Sequence, residues 1–86
     1  MVSVAQIRGA RGLLGWSQTK LAFQAGLSIA TIKRLEGQGA IKASSEAREA
    51  ARRAFEAAGV EFIDENGGGA GVRLSKGRSK TIRKGG

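Results

Sequence analysis

Apolar residues recur in the first 58 residues at the spacing of one helical face, in four segments that each begin just after a serine. Serine is a favoured N-cap because its hydroxyl accepts a hydrogen bond from a backbone N–H of the first helical turn. Glycine, which tolerates the left-handed conformation, follows each segment. The pattern predicts four helices: Ser3 to about Leu14, Ser17 to Ala25, Ser28 to just before Gly37, and about Ser44 to Ala58.

The first three predicted helices carry the same pair of start signals. Each serine is enclosed by two apolar residues at the positions of a hydrophobic staple, and Gln6 can complete a capping box with Ser3. Agreement among several local signals strengthens each individual assignment. The predicted staple pairs are Val2–Ile7, Trp16–Leu21 and Leu27–Ile32.

The fourth predicted helix is built largely from alanine. Its opposite face carries Glu49–Arg53 and Arg52–Glu56, charge pairs at i, i+4 spacing that indicate a solvated surface. The apolar face, by contrast, must pack against another element. It comprises Ala47, Ala50, Ala51, Ala54, Phe55 and Ala58.

After Gly59 the pattern changes to that of short strands. The segments 60–63 and 72–74 are short, largely apolar runs on either side of a glycine-rich connection, which predicts a β-hairpin. A two-stranded hairpin is marginally stable alone, so this one needs a surface on which to lie. The glycine run does not form a phosphate loop, because it lacks the GxxxxGK[ST] layout.

The second and third predicted helices are separated by a very short turn, which is typical of a helix-turn-helix. That motif needs apolar residues between its helices, a small residue at the crossing and a residue in the turn that accepts positive φ. The sequence meets these requirements with Leu21, Ala25, Leu27, Ile32 and Leu35, with Ala22, and with Gly26.

Two stretches, RGLLGWSQTKLA from Arg11 and AGLSIATIKRLEG from Ala25, resemble the Cro/C1-type (XRE-like) helix-turn-helix transcriptional regulators over about residues 4–58. The resemblance implies an all-α fold, a four-helix, lambda-repressor-like helix-turn-helix domain, to which the residue pattern adds a short C-terminal β-hairpin and the composition adds a basic tail. We assign residues 1–58 to the DNA-binding domain, 59–74 to the hairpin as a possible dimerisation element, and 75–86 to a basic flexible tail.

The resemblance also implies roles for individual residues. Ile29, Ala30, Thr31, Arg34 and Gln18 are expected to contact bases, and Arg11 and Glu36 to form a structural pair that ties the first helix to the third. Arg34 can bond guanine O6 and N7, whereas Ile29-Ala30 stands where many relatives have Gln or Asn. The residues expected to contact phosphate are Thr19, Ser28, Lys33, Arg11 and Lys42.

Charge supports a polyanionic partner. The chain has fifteen basic and seven acidic residues, and residues 66–86 hold six basic residues and no acidic one. The absence of Cys and His excludes thiolate zinc sites, Cys nucleophiles and His-based acid–base chemistry. We expect no enzyme activity, metal or cofactor, no membrane segment, and a cytoplasmic, nucleoid-associated location.

These observations predict a homodimeric repressor or autoregulator that binds a palindromic operator in double-stranded DNA. Dimerisation is inferred because one recognition helix contacts too few base pairs to be selective. The expected dimer surfaces are the alanine-rich fourth helix and the first strand, with Val60, Phe62 and Phe55 as contacts. Two alternatives stay open: an antitoxin or anti-activator that binds another protein, and a non-specific nucleic-acid binder that uses its basic tail.

Overall fold

A computed structural model of the 86-residue chain describes residues 2–64 and 67–75. The described part is mostly helical, with four α-helices followed by a short antiparallel sheet, as the sequence pattern predicts. The elements are α1 Val4–Leu14, α2 Gln18–Ala25, α3 Ile29–Leu35, α4 Ser45–Ala57, β1 Val60–Ile63 and β2 Gly71–Leu74.

All four helices begin where the serine signals place them. The hydroxyls of Ser3, Ser17, Ser28 and Ser44 each accept a hydrogen bond from the backbone N–H three residues later. The capping box at Ser3 is complete. At the other end of α2, Gly26 takes the left-handed conformation with φ 69°. The predicted starts are therefore confirmed, as are the ends of α1 and α2, whereas α3 and α4 end at Leu35 and Ala57, two residues before Gly37 and Gly59.

The core takes one large side chain from each helix. Ile7, Leu21, Ile32 and Phe55 are the largest fully buried side chains, and Trp16 stacks on Phe55 with ring centroids 5.5 Å apart. Burial of a large apolar side chain contributes about 1.5–3 kcal/mol. The alanine face of α4 belongs to this core, since Ala47 and Ala51 are buried with Phe55.

The hairpin lies on α1 and α4, which supply the surface that it needs. Its register pairs Val60 with Leu74 and Phe62 with Val72. The sheet approaches α1 so closely that a Cβ on Gly9 would lie 3.2 Å from a methyl group of Val72.

Gln6 fastens the loop end of the hairpin, where Ile63 pairs with Gly71, to α1. Its side-chain amide donates to the carbonyl oxygens of Ile63 (3.2 Å) and Gly71 (3.0 Å), while its own carbonyl accepts from the Ser3 backbone N–H. The side chain is buried, and every donor of its amide is used. The sequence predicts only its capping role, so the link to the hairpin is an addition from the structure.

The predicted flexible tail of residues 75–86 lies outside the described residues, apart from Ser75. In the described part of the chain, no helix combines the length and apolar character that crossing a membrane requires.

Candidate nucleic-acid interface

The corner between α2 and α3 holds α3 at the protein surface. Residues 26–28 form the connection, and a hydrogen bond from the Leu27 N–H to the Ala22 carbonyl closes it at 2.9 Å. Ile32 and Leu35 are buried in the core, so one face of α3 is anchored. The opposite face is consequently presented to solvent.

That outer face of α3 carries most of the predicted base-contacting residues. Ile29 is 41% exposed, and Ala30 and Lys33 are exposed as well. Thr31 is half-buried, and its hydroxyl lies 2.9 Å from the Ser28 hydroxyl. Ile29, Ala30 and Lys33 are thus accessible to a partner, whereas the Thr31 hydroxyl is already engaged with the cap.

Arg34 lies on α3, and its side chain is half-buried beside the loop that follows the helix. It lines a shallow groove with Gly39, Ala40 and Ile41, and the exposed Lys42 lies along the same groove. The groove therefore brings a predicted base contact and a predicted phosphate contact to one place. Thr19 and Ser28 are also predicted phosphate contacts, and both are exposed, at the starts of α2 and α3.

Arg11 and Glu36 form the predicted pair between α1 and the end of α3. The Arg11 guanidinium makes two bonds to the carboxylate, the longer of them 2.9 Å, and donates a third to the Trp16 carbonyl. Burial raises the pKa of Glu36, but the bonds from Arg11 and Gln18 and the charges of Arg11 and Arg8 outweigh it and hold that pKa below its usual value. The predicted pair is present, and together with the Trp16 carbonyl it uses three of the five N–H donors of the guanidinium.

Gln18 belongs to the same network. Its side-chain nitrogen donates to the Glu36 carboxylate at 3.2 Å and to the side-chain oxygen of Gln38 at 2.9 Å. The sequence does not predict Gln38, because a glutamine in a glycine-flanked loop carries no pattern of its own. A backbone bond from Gln38 to the Lys33 carbonyl fixes its place beside the end of α3.

The charges of this part of the molecule are nearly all of one sign. Residues 1–45 contain six basic residues and a single acidic one, Glu36, which is 6% exposed and bonded to Arg11. In the part of the chain that the structure describes, Lys33, Arg34 and Lys42 form no ion pair. The surface around α3 is therefore cationic, which attracts a polyanion.

The dimerisation residues predicted from sequence need correction. The side chains of Phe55 and Val60 are 0% and 3% exposed, so both are core residues of the protomer. Phe62 is half-buried and packs on Phe55, with ring centroids 6.1 Å apart. Ala47 and Ala51 of the alanine face of α4 are also buried within the protomer, and the other alanines of that face are half-buried. The apolar pattern identifies which face is buried, but not which element covers it.

No arrangement for metal binding is found in residues 2–64 and 67–75, where no three His, Cys, Asp or Glu side chains are grouped. Comparisons of the chain with models of protein families and with curated proteins give no match. The functional assignment therefore depends on the geometry and chemistry of the surface around α3.

Proposed function

We propose that the protein is a transcriptional regulator that binds double-stranded DNA sequence-specifically through the outer face of α3. The single observation that carries this proposal is the composition of that face. Lys33 and Arg34 stand next to the exposed, small or apolar Ile29 and Ala30, on a helix whose other side is anchored in the core. An α-helix fits the major groove of B-DNA, where side chains of these types contact base edges and phosphates.

Each side chain suits a particular part of DNA. Arg34 can donate two hydrogen bonds to guanine O6 and N7, which discriminates by about 1–3 kcal/mol. Ile29 and Ala30 can contact thymine methyl groups but cannot read adenine by hydrogen bonds. Lys33 suits a phosphate. Specificity at the start of α3 therefore comes from apolar contacts and DNA shape.

We propose further that the protein acts as a homodimer, as a repressor or autoregulator associated with the nucleoid. A seven-residue helix spans few base pairs, and two-fold assembly doubles the site. The outer edge of β1 is the candidate interface, because β1 pairs only with β2 among the described residues. Sedimentation of the wild-type protein tests the dimer. The variant Phe62→Asp does not test the dimer, since it would place a carboxylate beside the core of the protomer.

The test is selection of bound duplexes from a random-sequence pool at physiological salt, followed by sequencing. We expect a palindromic sequence with half-sites about one helical turn apart. Arg34→Ala should change the preferred bases, whereas Arg53→Ala, which removes the same charge from exposed α4, should leave them unchanged. Binding without sequence preference would overturn the proposal and favour the non-specific alternative.

One observation favours a second candidate, a module that binds another protein. The Phe23 side chain on α2 is 80% exposed, and aromatic residues are enriched at protein interfaces. This function as antitoxin or anti-activator predicts no enrichment of any duplex in the selection. It also predicts that Phe23→Ser impairs binding of the protein partner while Arg34→Ala does not.

A further inference from the structure

The Gln18 amide is held in one orientation by its partners. An ionised carboxylate can only accept hydrogen bonds, so the group of Gln18 that faces Glu36 must be the –NH₂. The other N–H of this group is donated to the Gln38 oxygen at 2.9 Å. Both donors of Gln18 are therefore used within the protein, and its carbonyl oxygen remains as the group available to a partner.

The same argument fixes Gln38 in the opposite sense. Its side-chain oxygen accepts from Gln18, so its own –NH₂ carries the available donors. The backbone bond from Gln38 to the Lys33 carbonyl, at 2.8 Å, holds the residue next to α3. The pair thus presents one acceptor and one donor side by side, with Arg11 securing the carboxylate that orients them.

We propose that this pair is a specificity element, in which Gln18 accepts a hydrogen bond from a base amine and Gln38 donates to DNA. The inference rests on the proposed DNA-binding function. In the major groove the only base amines are adenine N6 and cytosine N4, and these are the partners for Gln18. Phosphate oxygens only accept, so Gln18 cannot bond a phosphate in this orientation. Gln38 suits any acceptor, either a base edge or a phosphate.

The first test uses the free protein and does not depend on DNA. The chain has four glutamines and one asparagine, so the side-chain amide signals are few in NMR spectra. The Gln18 amide signals should shift as acid protonates Glu36, and one of them should move in Gln38→Ala. Exposed Gln24 is the matched control and should respond to neither change. Gln18 signals that behave like those of Gln24 would overturn the proposed orientation.

The second test removes the base amine itself. Every base pair carries one such amine, so each adenine or cytosine of the selected half-site is replaced in turn by purine or 2-pyrimidinone, which lack it. At one position this should weaken wild-type binding by about three- to tenfold, the net value of one hydrogen bond. Gln18→Ala should show no such loss there, while Gln24→Ala should behave as wild type.

Three outcomes distinguish the two proposals. A position at which the loss disappears only in Gln18→Ala supports the specificity element. The inference is overturned, and DNA binding is left intact, if removing each amine has the same effect on wild type and on Gln18→Ala. It is overturned in the same way if the effect of Gln18→Ala disappears only when a methylphosphonate replaces a phosphate. Failure to select any sequence overturns both.

Two further substitutions test Gln38 as a hydrogen-bond donor to DNA and Glu36 as a residue that positions the Gln18 amide. The Gln38→Ala loss of affinity should disappear on DNA with 7-deazaadenine or 7-deazaguanine if the acceptor is a base N7, or with a methylphosphonate if it is a phosphate. Glu36→Gln frees the Gln18 amide to turn, so it should reduce the effect of removing the amine. An unaltered amine effect in both Glu36→Gln and Gln38→Ala would contradict the positioning role.

Discussion

The two parts of the molecule on either side of Ser45 use charge in opposite ways. Residues 2–45 contain six basic residues and one acidic residue, and that one is buried against Arg11. The described residues after Ser45 contain four basic and five acidic residues. Three of these arginines form surface pairs within the same part: Arg52–Glu56, Arg53–Glu49 and Arg73–Glu61.

Net charge alone therefore does not identify a nucleic-acid interface. Exposed pairs such as Arg53–Glu49 stabilise a fold by well under about 1 kcal/mol, but they cancel the local field. Among residues 2–45 the one carboxylate, that of Glu36, is paired with Arg11 inside the structure, so the field of Lys33 and its neighbours remains. The distribution of acidic residues therefore separates the candidate interface from the rest of the described surface.

Loss of the buried Arg11–Glu36 pair should destabilise the first part of the molecule strongly. Arg11→Ala leaves the Glu36 carboxylate buried without its main partner and should lower the free energy of unfolding by about 3 kcal/mol. In wild type the lowered pKa of Glu36 means that its stabilisation is complete above about pH 4.5 and is lost as pH falls through the folded-state pKa. Urea unfolding at a series of pH values, from neutral to acid, measures both the free-energy difference between the two proteins and the pH at which the wild-type stabilisation is lost.

The deficit of Arg11→Ala should accordingly be largest near neutral pH and should shrink in acid, where Glu36 is protonated in both proteins. Arg52→Ala, which breaks an exposed pair, is the control and should show a far smaller deficit. A deficit that does not change with pH would contradict the role assigned to the Glu36 charge.

The next largest effect concerns the connection between the two parts. Gln6→Leu removes the donors for the Ile63 and Gly71 carbonyls and should cost about 1–3 kcal/mol of unfolding free energy. Amide hydrogen exchange should accelerate more in β1 than in α2, because the hairpin loses its attachment to α1. Gln24→Leu is the matched control; equal protection of β1 in both variants would contradict the role of Gln6.

A smaller effect is expected in the salt dependence of DNA binding. Removing one phosphate contact reduces the slope of log affinity against log salt concentration by about one. Lys33→Ala should show this change on the selected duplex, and Arg53→Ala should not, because Glu49 already neutralises Arg53. Equal reductions of the slope in both variants would contradict the proposed difference between the two parts in their contribution to DNA binding.

The smallest effect tests the paired surface. Arg53→Ala should change the free energy of unfolding by less than about 0.5 kcal/mol, since the Arg53 side chain is 67% exposed and its ion pair is 3.9 Å long. Thermal and urea unfolding provide the measurement. A loss above about 1 kcal/mol would show that the α4 pairs stabilise the fold rather than only balance charge.

Local chemistry made the elements predictable. A serine cap with its staple acts within a few residues, so the starts at Ser3, Ser17, Ser28 and Ser44 are readable from the chain. The strands at 60–63 and 72–74 are readable as short apolar runs around a glycine-rich connection, and the structure extends the second by one residue, to Gly71. The Arg11–Glu36 pair came from the family resemblance, and the geometry bears it out.

Contacts between distant residues were not predictable from pattern. Phe55 and Val60 have the apolar character of both core and interface residues, and only the tertiary packing of α4 and the hairpin shows that they are core. The Gln18–Gln38 bond joins residues that are twenty positions apart, and its polarity follows from Glu36. Such bonds depend on how loops close, which no short-range pattern specifies.

The most direct test of DNA binding through α3 compares two double variants of equal charge by selection from the same random pool. Lys33→Ala with Arg34→Ala removes two charges from the α3 face, and Arg53→Ala with Arg73→Ala removes two from exposed pairs elsewhere. We predict that the first variant loses the selected sequence and that the second retains it. Loss of the sequence in both, or retention in both, would contradict the assignment of α3 as the DNA-reading element.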